Sequence, residues 1–432
     1  MINLIGVIIA FIIIIILIRR KYNFGLSLIF GSIIVGIFSI PYIEEPVDIP
    51  KAFIEGILYS FEDQQINTLT IELAVLLLLI YILAKCMQEL GAINKLIKSL
   101  RTVFFKGGTL GVIPAIYGLM PVPGGAIFSA PLIDQEGGKY NLKQNQKNFL
   151  NVWWRHIWFP IFPVSSAMVT ICSLKFANID IYELVLADFP AFILFIVIGL
   201  FYLKFFIKKA PKPVKPSEKD YKGLIYLLLP LIPILLYILI FAILFTIGDT
   251  SILKLYQTRI FIVGVIISIA VLYFLIDAQK EKYFETIKKS LSFNLVLAIF
   301  GIMIFREVIE ASQANQIIST IIGDLPFPPV IIIIVIPFIL GVLTGYNLAG
   351  IMLSYFLVEP FFVYSNINLI GLTSIIFISS LAGYLISPIH LCNVVSSDYL
   401  KTDTTRIYKM YIPAVVVLLS IQTIFIIVFY SN

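Results

Sequence analysis

The chain has 432 residues, of which 60% are hydrophobic and only 13% are charged. A water-soluble protein of this length needs far more charge on its surface, so the composition excludes an ordinary soluble enzyme or binding protein. The net charge of +6 does not indicate a nucleic-acid partner, because the lysines lie in short loops between apolar runs. We therefore predict an all-α, multi-pass protein of the cell membrane, with the lipid bilayer as a partner.

Five apolar runs in the first half of the chain are each long enough to cross a bilayer core about 30 Å thick. The basic run Arg19-Arg20-Lys21 follows the first of them and indicates a cytoplasmic loop, which places the N-terminus outside. We expect no cleavable signal peptide, since these charges follow the apolar run instead of preceding it. The acidic segment 44–63 is typical of an external loop. The predicted spans are 2–18, 24–43, 70–91, 148–173 and 181–207.

A broken apolar stretch, 109–133, lies between the third and fourth of these spans. Its centre is Pro121-Val122-Pro123-Gly124-Gly125. A lipid-facing helix could not carry this sequence, because a broken helix leaves backbone N–H and C=O groups without partners in hydrocarbon. Basic residues flank the stretch on both sides, so we predict a re-entrant hairpin that enters from the cytoplasm.

A basic, proline-rich segment, 208–222, is the best boundary in the chain and is predicted to be a stiff cytoplasmic linker. Beyond it, a second broken stretch, 329–360, contains Gly345-Tyr346-Asn347-Leu348-Ala349-Gly350. Its flanks lack Lys and Arg, so we predict a hairpin that enters from outside, and the C-terminus is also placed outside. The predicted spans of this half are 223–247, 259–277, 291–311, 372–397 and 409–430.

The two halves match at nearly constant spacing. Lys85 and Glu89 correspond to Arg306 and Glu310, the first hairpin tip corresponds to the second, and Pro160 corresponds to Pro388. Because the loop charges give the halves opposite orientations, we predict inverted repeats, 1–207 and 223–432. Inverted repeats with broken helices at matching positions are typical of secondary transporters, which bind substrate and coupling ions at the breaks.

The hairpin tips hold the first group of candidate substrate ligands. Glycine allows a backbone to approach a ligand closely, and N–H groups at helix ends attract anions. The alternative is that these small residues only allow helices to pack closely in the membrane. The candidates are Pro121, Pro123, Gly124, Gly125, Ser129, Tyr346, Asn347, Gly350 and Ser354.

Two predicted spans are themselves interrupted, by Arg155-His156-Ile157-Trp158-Phe159-Pro160 and by Ser387-Pro388-Ile389-His390-Leu391-Cys392-Asn393, which hold the only two histidines. Ionisable groups at membrane depth suggest function, and the fork of an arginine suits a carboxylate. Substrate candidates here are Arg155, His390 and Asn393. Prolines free backbone carbonyls that could hold Na⁺, or protons through water. Ion-coupling candidates are Pro160, Ser165, Ser166, Ser387, Pro388 and Ser396.

Each of these assignments has an alternative. Arg155 and His156 could be interfacial anchors beside Trp153 and Trp154 in an aromatic belt. The pairs Lys85/Glu89 and Arg306/Glu310 have i, i+4 spacing on a helix, which suits either a structural ion pair or a gate. The spacing of the three cysteines matches no metal or disulfide pattern, so we expect packing residues and neither a metal nor another cofactor.

With these residues in view, the chain resembles the ion transporter superfamily, and within it the gluconate-permease-like integral membrane family of unknown function (domain of unknown function 401). The resemblance rests on Leu119-Met120-Pro121-Val122-Pro123-Gly124-Gly125-Ala126, on Ser387-Pro388-Ile389-His390-Leu391-Cys392 and on the repeat layout. It implies two inverted repeats, a possible homodimer and elevator-like movement of a transport domain past a scaffold. Better-studied branches carry Ser-Asn-Thr at the hairpin tips, which this chain lacks.

The sequence therefore predicts a secondary active transporter of a small organic anion, such as a sugar acid or carboxylate, coupled to H⁺ or Na⁺ by alternating access. An ion channel or a non-transporting membrane protein is the alternative. A membrane-embedded enzyme is not expected, because there are only two histidines, on different halves, and no Gly-rich phosphate loop or soluble catalytic domain.

Overall fold

The computed structural model describes residues 2–40, 48–61, 64–66, 68–103, 108–119, 125–208, 220–276, 280–314, 328–402 and 404–431. Within these ranges, eight helical stretches are long and apolar enough to cross a membrane: Leu69–Glu89, Ile181–Phe206, Lys222–Ile247, Ile252–Leu275, Lys280–Ala311, Asn347–Tyr364, Leu369–Leu400 and Arg406–Phe429. The chain is therefore an all-α, membrane-embedded protein. Its placement in the cell membrane, with both termini outside, stays a prediction.

The first half of the chain contains ten α-helices among the described residues, of 7 to 26 residues each. They are α1 (Ile2–Arg19), α2 (Phe24–Ser39), α3 (Asp48–Glu55), α4 (Leu69–Glu89), α5 (Ala92–Val103), α6 (Thr109–Gly118), α7 (Ala126–Gly138), α8 (Gln144–Arg155), α9 (Ser166–Cys172) and α10 (Ile181–Phe206). Between α3 and α4, the two-residue strands β1 (Tyr59–Ser60) and β2 (Gln65–Ile66) pair antiparallel.

The second half begins with a 3₁₀ helix, Lys222–Leu231, that leads directly into an α-helix. Its α-helices are α11 (Ile232–Ile247), α12 (Ser251–Leu275), α13 (Lys280–Lys289), α14 (Phe293–Ala311), α15 (Pro329–Thr344), α16 (Asn347–Val358), α17 (Leu369–Ile386), α18 (Leu391–Leu400) and α19 (Thr404–Phe429). A further 3₁₀ helix, Glu359–Tyr364, follows α16.

The helix breaks lie where the sequence predicts them. The predicted span 148–173 contains the end of α8, an irregular segment and α9, and the predicted span 372–397 is divided between α17 and α18. Proline has no N–H group to donate and clashes with the preceding turn, which accounts for both interruptions. The predicted number of ten spans stays a prediction, since α1 and α2 have 18 and 16 residues and Asn347–Tyr364 was assigned to a hairpin.

The helices pack in two groups, to which each half of the chain contributes. The first group contains α1–α5 and α11–α14, where α2 packs along both α1 and α14. The second group contains α6–α10 and α15–α19, where α15 packs along α17 and α8 packs on α6, α7 and α18. Smaller contacts join the groups, as between α4 and α9 or between α14 and α16. The chain therefore passes from the first group to the second twice.

Small residues allow the closest of these helix contacts. A Cβ atom on Gly25 of α2 would lie 1.9 Å from the carbonyl oxygen of Leu297 on α14. A Cβ atom on Gly383 of α17 would lie 2.0 Å from the carbonyl oxygen of Phe338 on α15. Such close backbone approach is how helices associate tightly when lipid offers no hydrophobic driving force between them.

Candidate functional site

A cavity of about 410 Å³ lies where the two helix groups meet. The first group contributes Leu77, Ile80 and Tyr81 from α4 and Leu295 from α14. The second group contributes the remaining lining residues: Gly118, Leu119, Arg155, His156, Trp158, Phe159, Phe162, Ser165, Ser166, Ala167, Gly345, Tyr346, Asn347, Leu348, Tyr384, Leu391 and Cys392. This volume is within the range of pockets that bind small organic molecules.

Three helices of the second group begin at the cavity. Ser166 starts α9, Asn347 starts α16 and Leu391 starts α18, and all three residues line the cavity. The first N–H groups of a helix have no partner within it, and the helix dipole adds a partial positive charge there. The N-terminal residues of three short helices therefore line one small volume.

Local sequence explains why these helices start here. Gly345 takes a left-handed conformation (φ +58°) that ends α15 and turns the chain into α16. Ser165 caps α9, since its hydroxyl oxygen accepts the backbone N–H of Met168 at 3.3 Å. A Cβ on Gly345 would lie 2.6 Å from Ile389, so the tip of the second hairpin packs directly on the second break.

Arg155 supplies the formal positive charge. It ends α8, is 3% exposed and lines the cavity. A Cβ on Gly118, which ends α6, would lie 2.0 Å from the Arg155 carbonyl oxygen, so the end of α6 packs directly on the first break. None of the described residues that line the cavity is Asp or Glu. Arg155 is therefore the one formally charged residue among the described residues that line the cavity.

Apolar and aromatic side chains form most of the remaining wall. Trp158, Phe159 and Phe162 come from the irregular segment after α8, and α4 faces them from the other group. The indole N–H of Trp158 donates to the carbonyl oxygen of Ala115 at 2.9 Å, which fixes this aromatic wall on α6. A ligand here would place a charged end near Arg155 and an apolar body against these rings.

The two histidines lie side by side next to the cavity. The ring centroids of His156 and His390 are 4.9 Å apart, both residues are fully buried, and the ring of Tyr384 lies 3.9 Å from that of His390. His156 lines the cavity, whereas His390 lies just behind it. With Cys392 these histidines form the one described cluster of His, Cys and acidic residues that could hold a metal ion.

Five predicted site residues meet at the cavity: Arg155, Ser165, Ser166, Tyr346 and Asn347. Buried Asn347 directs a side-chain oxygen into the protein that has no hydrogen-bond partner among the described residues. The alternative interpretation of Arg155 and His156 as interfacial anchors needs Trp153 and Trp154 in an aromatic belt, but these two side chains are 0% and 7% exposed and pack inside the second group.

The other predicted site residues lie elsewhere. Gly350 packs against Ser380, and the Ser354 and Ser387 hydroxyls donate to the carbonyl oxygens of Ile351 and Val342. Pro160 is buried outside the cavity lining, Pro388 is exposed, and Gly125 precedes the first residue of α7. Pro121, Pro123 and Gly124 lie outside the described residues.

Three of the predicted site residues, Ser129, Asn393 and Ser396, belong to a buried network of hydrogen bonds. The Nδ2 group of Asn151 donates to Ser396 Oγ at 2.9 Å, and Ser129 Oγ donates to Asn151 Oδ1 at 2.6 Å. The Nδ2 group of Asn148 donates to Asn393 Oδ1 at 3.2 Å. These bonds tie α8 to α7 and α18, so the three predicted residues hold the breaks together instead of lining the cavity.

The sequence analysis missed Asn148 and Asn151, although their spacing on one face of a predicted span is a signal for them. It also missed Asp188, a fully buried acid in the middle of α10. The Ser374 hydroxyl of α17 donates to the Asp188 carboxylate, and Gln422 of α19 donates to Ser374. An acid within an apolar run of this length is itself a signal, since such residues in membranes are expensive and tend to be functional.

The predicted i, i+4 ion pairs are present. Lys85 Nζ lies 3.8 Å from Glu89, and Arg306 Nη1 lies 3.3 Å from Glu310. A further pair crosses between the helix groups, since Lys175 Nζ, after α9, lies 2.8 Å from Glu307 Oε1 of α14. Whether any of these pairs acts as a gate stays a prediction.

The fold and the cavity define an all-α, membrane-embedded protein with a largely apolar pocket, lined in part by Arg155, between two helix groups. A family model described as a protein of unknown function (DUF401) matches residues 3–429. The chain therefore belongs to this family, as the sequence motifs indicated. No curated protein matches the chain. Membership of the wider ion transporter superfamily stays a prediction.

Proposed function

We propose that the protein is a secondary active transporter that binds a small organic anion in the cavity between the two helix groups. One observation carries the proposal: the N-termini of α9, α16 and α18 and the side chain of Arg155 meet in a pocket whose described lining holds no acid. Broken helices whose positive ends face an anionic group are a recurring device of transporters.

The order of elements supports a repeat, and the loop charges are the argument that it is inverted. Each half supplies one segment to the first helix group, 2–103 and 222–311, and then one to the second, 109–206 and 329–429. In the second group, the helix pair α6–α7 corresponds to α15–α16, and the broken pair α8–α9 corresponds to α17–α18. Each hairpin packs on the break of its own half, at Gly118 and Gly345.

The division into two groups supports an elevator-like form of alternating access. The second group carries Arg155 and the three helix N-termini, while α4 and α14 of the first group supply an apolar wall. Movement of the second group along this wall would carry a bound anion with it. The first group would then be the scaffold, and a homodimer would form through it.

The residues that line the cavity narrow the class of substrate that we propose. A carboxylate would lie between Arg155 and the start of α16, and the carbon body would lie against Trp158, Phe159 and Phe162. Since most of the lining is apolar, short carboxylates fit better than sugar acids with many hydroxyl groups. H⁺ or Na⁺ would be the coupling ion, and we propose no enzymatic activity.

Uptake by purified protein in liposomes tests the proposal. An imposed Na⁺ or pH gradient is expected to drive accumulation of a short radiolabelled carboxylate above the level of protein-free liposomes. Asn347→Ala is expected to reduce this uptake. If neither gradient drives any carboxylate or sugar acid, the proposal is wrong. Ion currents far faster than transporter turnover in a planar bilayer would favour a channel instead.

A further inference from the structure

We propose that His156, His390 and Cys392 form a binding site for a transition metal ion of the Zn²⁺ or Cu⁺ type at the edge of the cavity. Their ligand atoms all lie within 4.8 Å of one another, and all three residues are buried. They come from the two broken segments, one in each half of the chain. The site stands on this geometry and holds whether or not the protein transports an anion.

The ring of His156 is oriented as in known metal sites. Its Nδ1 lies 2.6 Å from the carbonyl oxygen of Val152, so Nδ1 carries the hydrogen and Nε2 presents a lone pair. Histidines that bind metals typically donate their other N–H to a backbone carbonyl or carboxylate in this way. Nε2 has no hydrogen-bond partner among the described residues.

His390 brings ring nitrogens without a hydrogen-bond partner from the other half. It is fully buried, and neither ring nitrogen makes a hydrogen bond of normal geometry with the residues that the structure describes. A buried polar atom without a partner destabilises the folded protein. Two adjacent imidazoles with such atoms are better explained by a shared ligand than by packing.

The donor set indicates the class of ion. Two imidazoles and one thiolate suit Zn²⁺ or Cu⁺, whereas Mg²⁺ and Ca²⁺ require oxygen ligands. Bonds of about 2.0–2.3 Å place tetrahedral ligands roughly 3.5 Å apart, so small side-chain rotations would close the present spacing. His156 and Cys392 both line the cavity, so a fourth position would open toward it.

Charge around the site favours an anion at that fourth position. The Cys392 thiolate offsets one charge of the ion, and Arg155, which lines the same cavity, adds one. Zn²⁺ would therefore attract a water-derived hydroxide or a carboxylate, whereas Cu⁺ would be neutralised by the thiolate alone. From the sequence, all three cysteines are expected to be packing residues. The proposed metal site gives a different role to Cys392 only.

Metal titration of the purified full chain, stripped with a chelator, tests the proposal. Co²⁺, used as a spectroscopic substitute for Zn²⁺, is expected to bind at about one equivalent and to give a thiolate-to-metal charge-transfer band. Zn²⁺ or Cu⁺ is expected to displace it, and the stronger competitor identifies the ion. If neither ion binds the parent protein, the proposal is overturned.

Substitutions locate the site. His156→Asn, His390→Asn and Cys392→Ser are each expected to weaken binding by about 100-fold or more, since even outer-shell changes cost 10–100-fold. Cys172→Ser is the matched control, because Cys172 is also buried but lies outside the cluster, and it is expected to leave binding unchanged. A charge-transfer band that survives Cys392→Ser would overturn the assignment.

X-ray absorption of the zinc-loaded parent protein avoids any dependence on how well the variants fold. The expected first shell contains sulfur at about 2.3 Å and nitrogen at about 2.0–2.1 Å. A shell without sulfur would overturn the proposal. Carboxylate uptake by the chelator-stripped protein tests transport separately, so failure of the metal site and failure of the transporter are distinguishable.

Discussion

The rings of His156 and His390 lie 4.9 Å apart, although they belong to different halves of the chain. One follows the last turn of α8 and the other precedes α18, so the two broken segments meet at a single point. The cavity opens beside this point, and Arg155 and Cys392, which neighbour the two histidines in sequence, line it. The candidate site therefore lies where the two halves of the chain meet.

The first prediction concerns the charge of Arg155. Arg155→Met should weaken binding of a short carboxylate by roughly 10- to 100-fold, because a hydrogen bond to a charged group contributes about 1.5–3 kcal/mol. Arg155→Lys should retain part of the affinity, since it keeps the charge and loses the planar fork. Titration of the purified protein by tryptophan fluorescence or calorimetry measures both.

The control for this prediction is Lys98→Met, because Lys98 is exposed and its Nζ lies 3.9 Å from Asp220 in the first helix group. The Lys98→Met variant should bind the carboxylate as tightly as the parent protein does. Equal affinity in the parent and in Arg155→Met would show that the anion, if it binds, does not contact this residue.

The second prediction concerns the contact between the first hairpin and the first break. Gly118→Ala should lower the free energy of unfolding by about 1–3 kcal/mol, because its Cβ would lie 2.0 Å from the Arg155 carbonyl oxygen and force the backbones apart. Gly138→Ala, where a Cβ meets nothing within 4 Å, is the control and should be neutral or slightly stabilising. Thermal unfolding in detergent measures both, and equal melting temperatures would contradict the close contact.

The third prediction concerns the polar network on α8. Asn151→Ala removes one hydrogen-bond partner of Ser129 and one of Ser396, and it should destabilise the protein by about 1–3 kcal/mol for each buried group left unsatisfied. Asn145→Ala, six residues earlier on α8 and only half-buried, should cost far less. Denaturant titration compares the two, and a similar cost for both would argue against the network.

The fourth prediction concerns the ion pair between the helix groups. Lys175→Met removes the partner of Glu307 across the groups and should shift the protein away from the present conformation, with a tenfold population change for each 1.4 kcal/mol lost. Lys289→Met is the control, since its pair with Glu285 lies within α13 and is exposed. The labelling rate of a cysteine in the cavity reports the shift, and identical rates in both variants would contradict a coupling role.

Sequence reasoning located the helix boundaries well, because proline, glycine and apolar periodicity act locally. It placed the breaks before α9 and α18 and the turn at Gly345, each of which depends on residues within a few positions. It did not place Ser129 and Ser396 in a shared network with Asn151, since no local pattern reports which helices become neighbours. The meeting of Cys392 with both histidines was missed for the same reason.

The polarity of a residue alone also does not show whether its side chain lines the cavity or packs within the protein. Ser354 and Ser166 are both serines beside predicted tips or breaks, yet Ser354 bonds its own helix and Ser166 lines the cavity. Conversely, Asp188 is an acid within an apolar run, but the sequence does not report its hydrogen bond with Ser374 of a distant helix. Burial and direction of a side chain, which decide its role, depend on packing between distant segments.

The most direct test of the central claim is the accessibility of the cavity from each side of the membrane. Ser166→Cys, in a chain whose Cys86, Cys172 and Cys392 are replaced by serine, is treated with a membrane-impermeant thiol reagent in right-side-out and in inverted vesicles. Alternating access predicts labelling from both sides, with slower labelling when a transported carboxylate is bound. Labelling from one side only, unaffected by any carboxylate, would contradict the claim that this cavity carries an anion across the membrane.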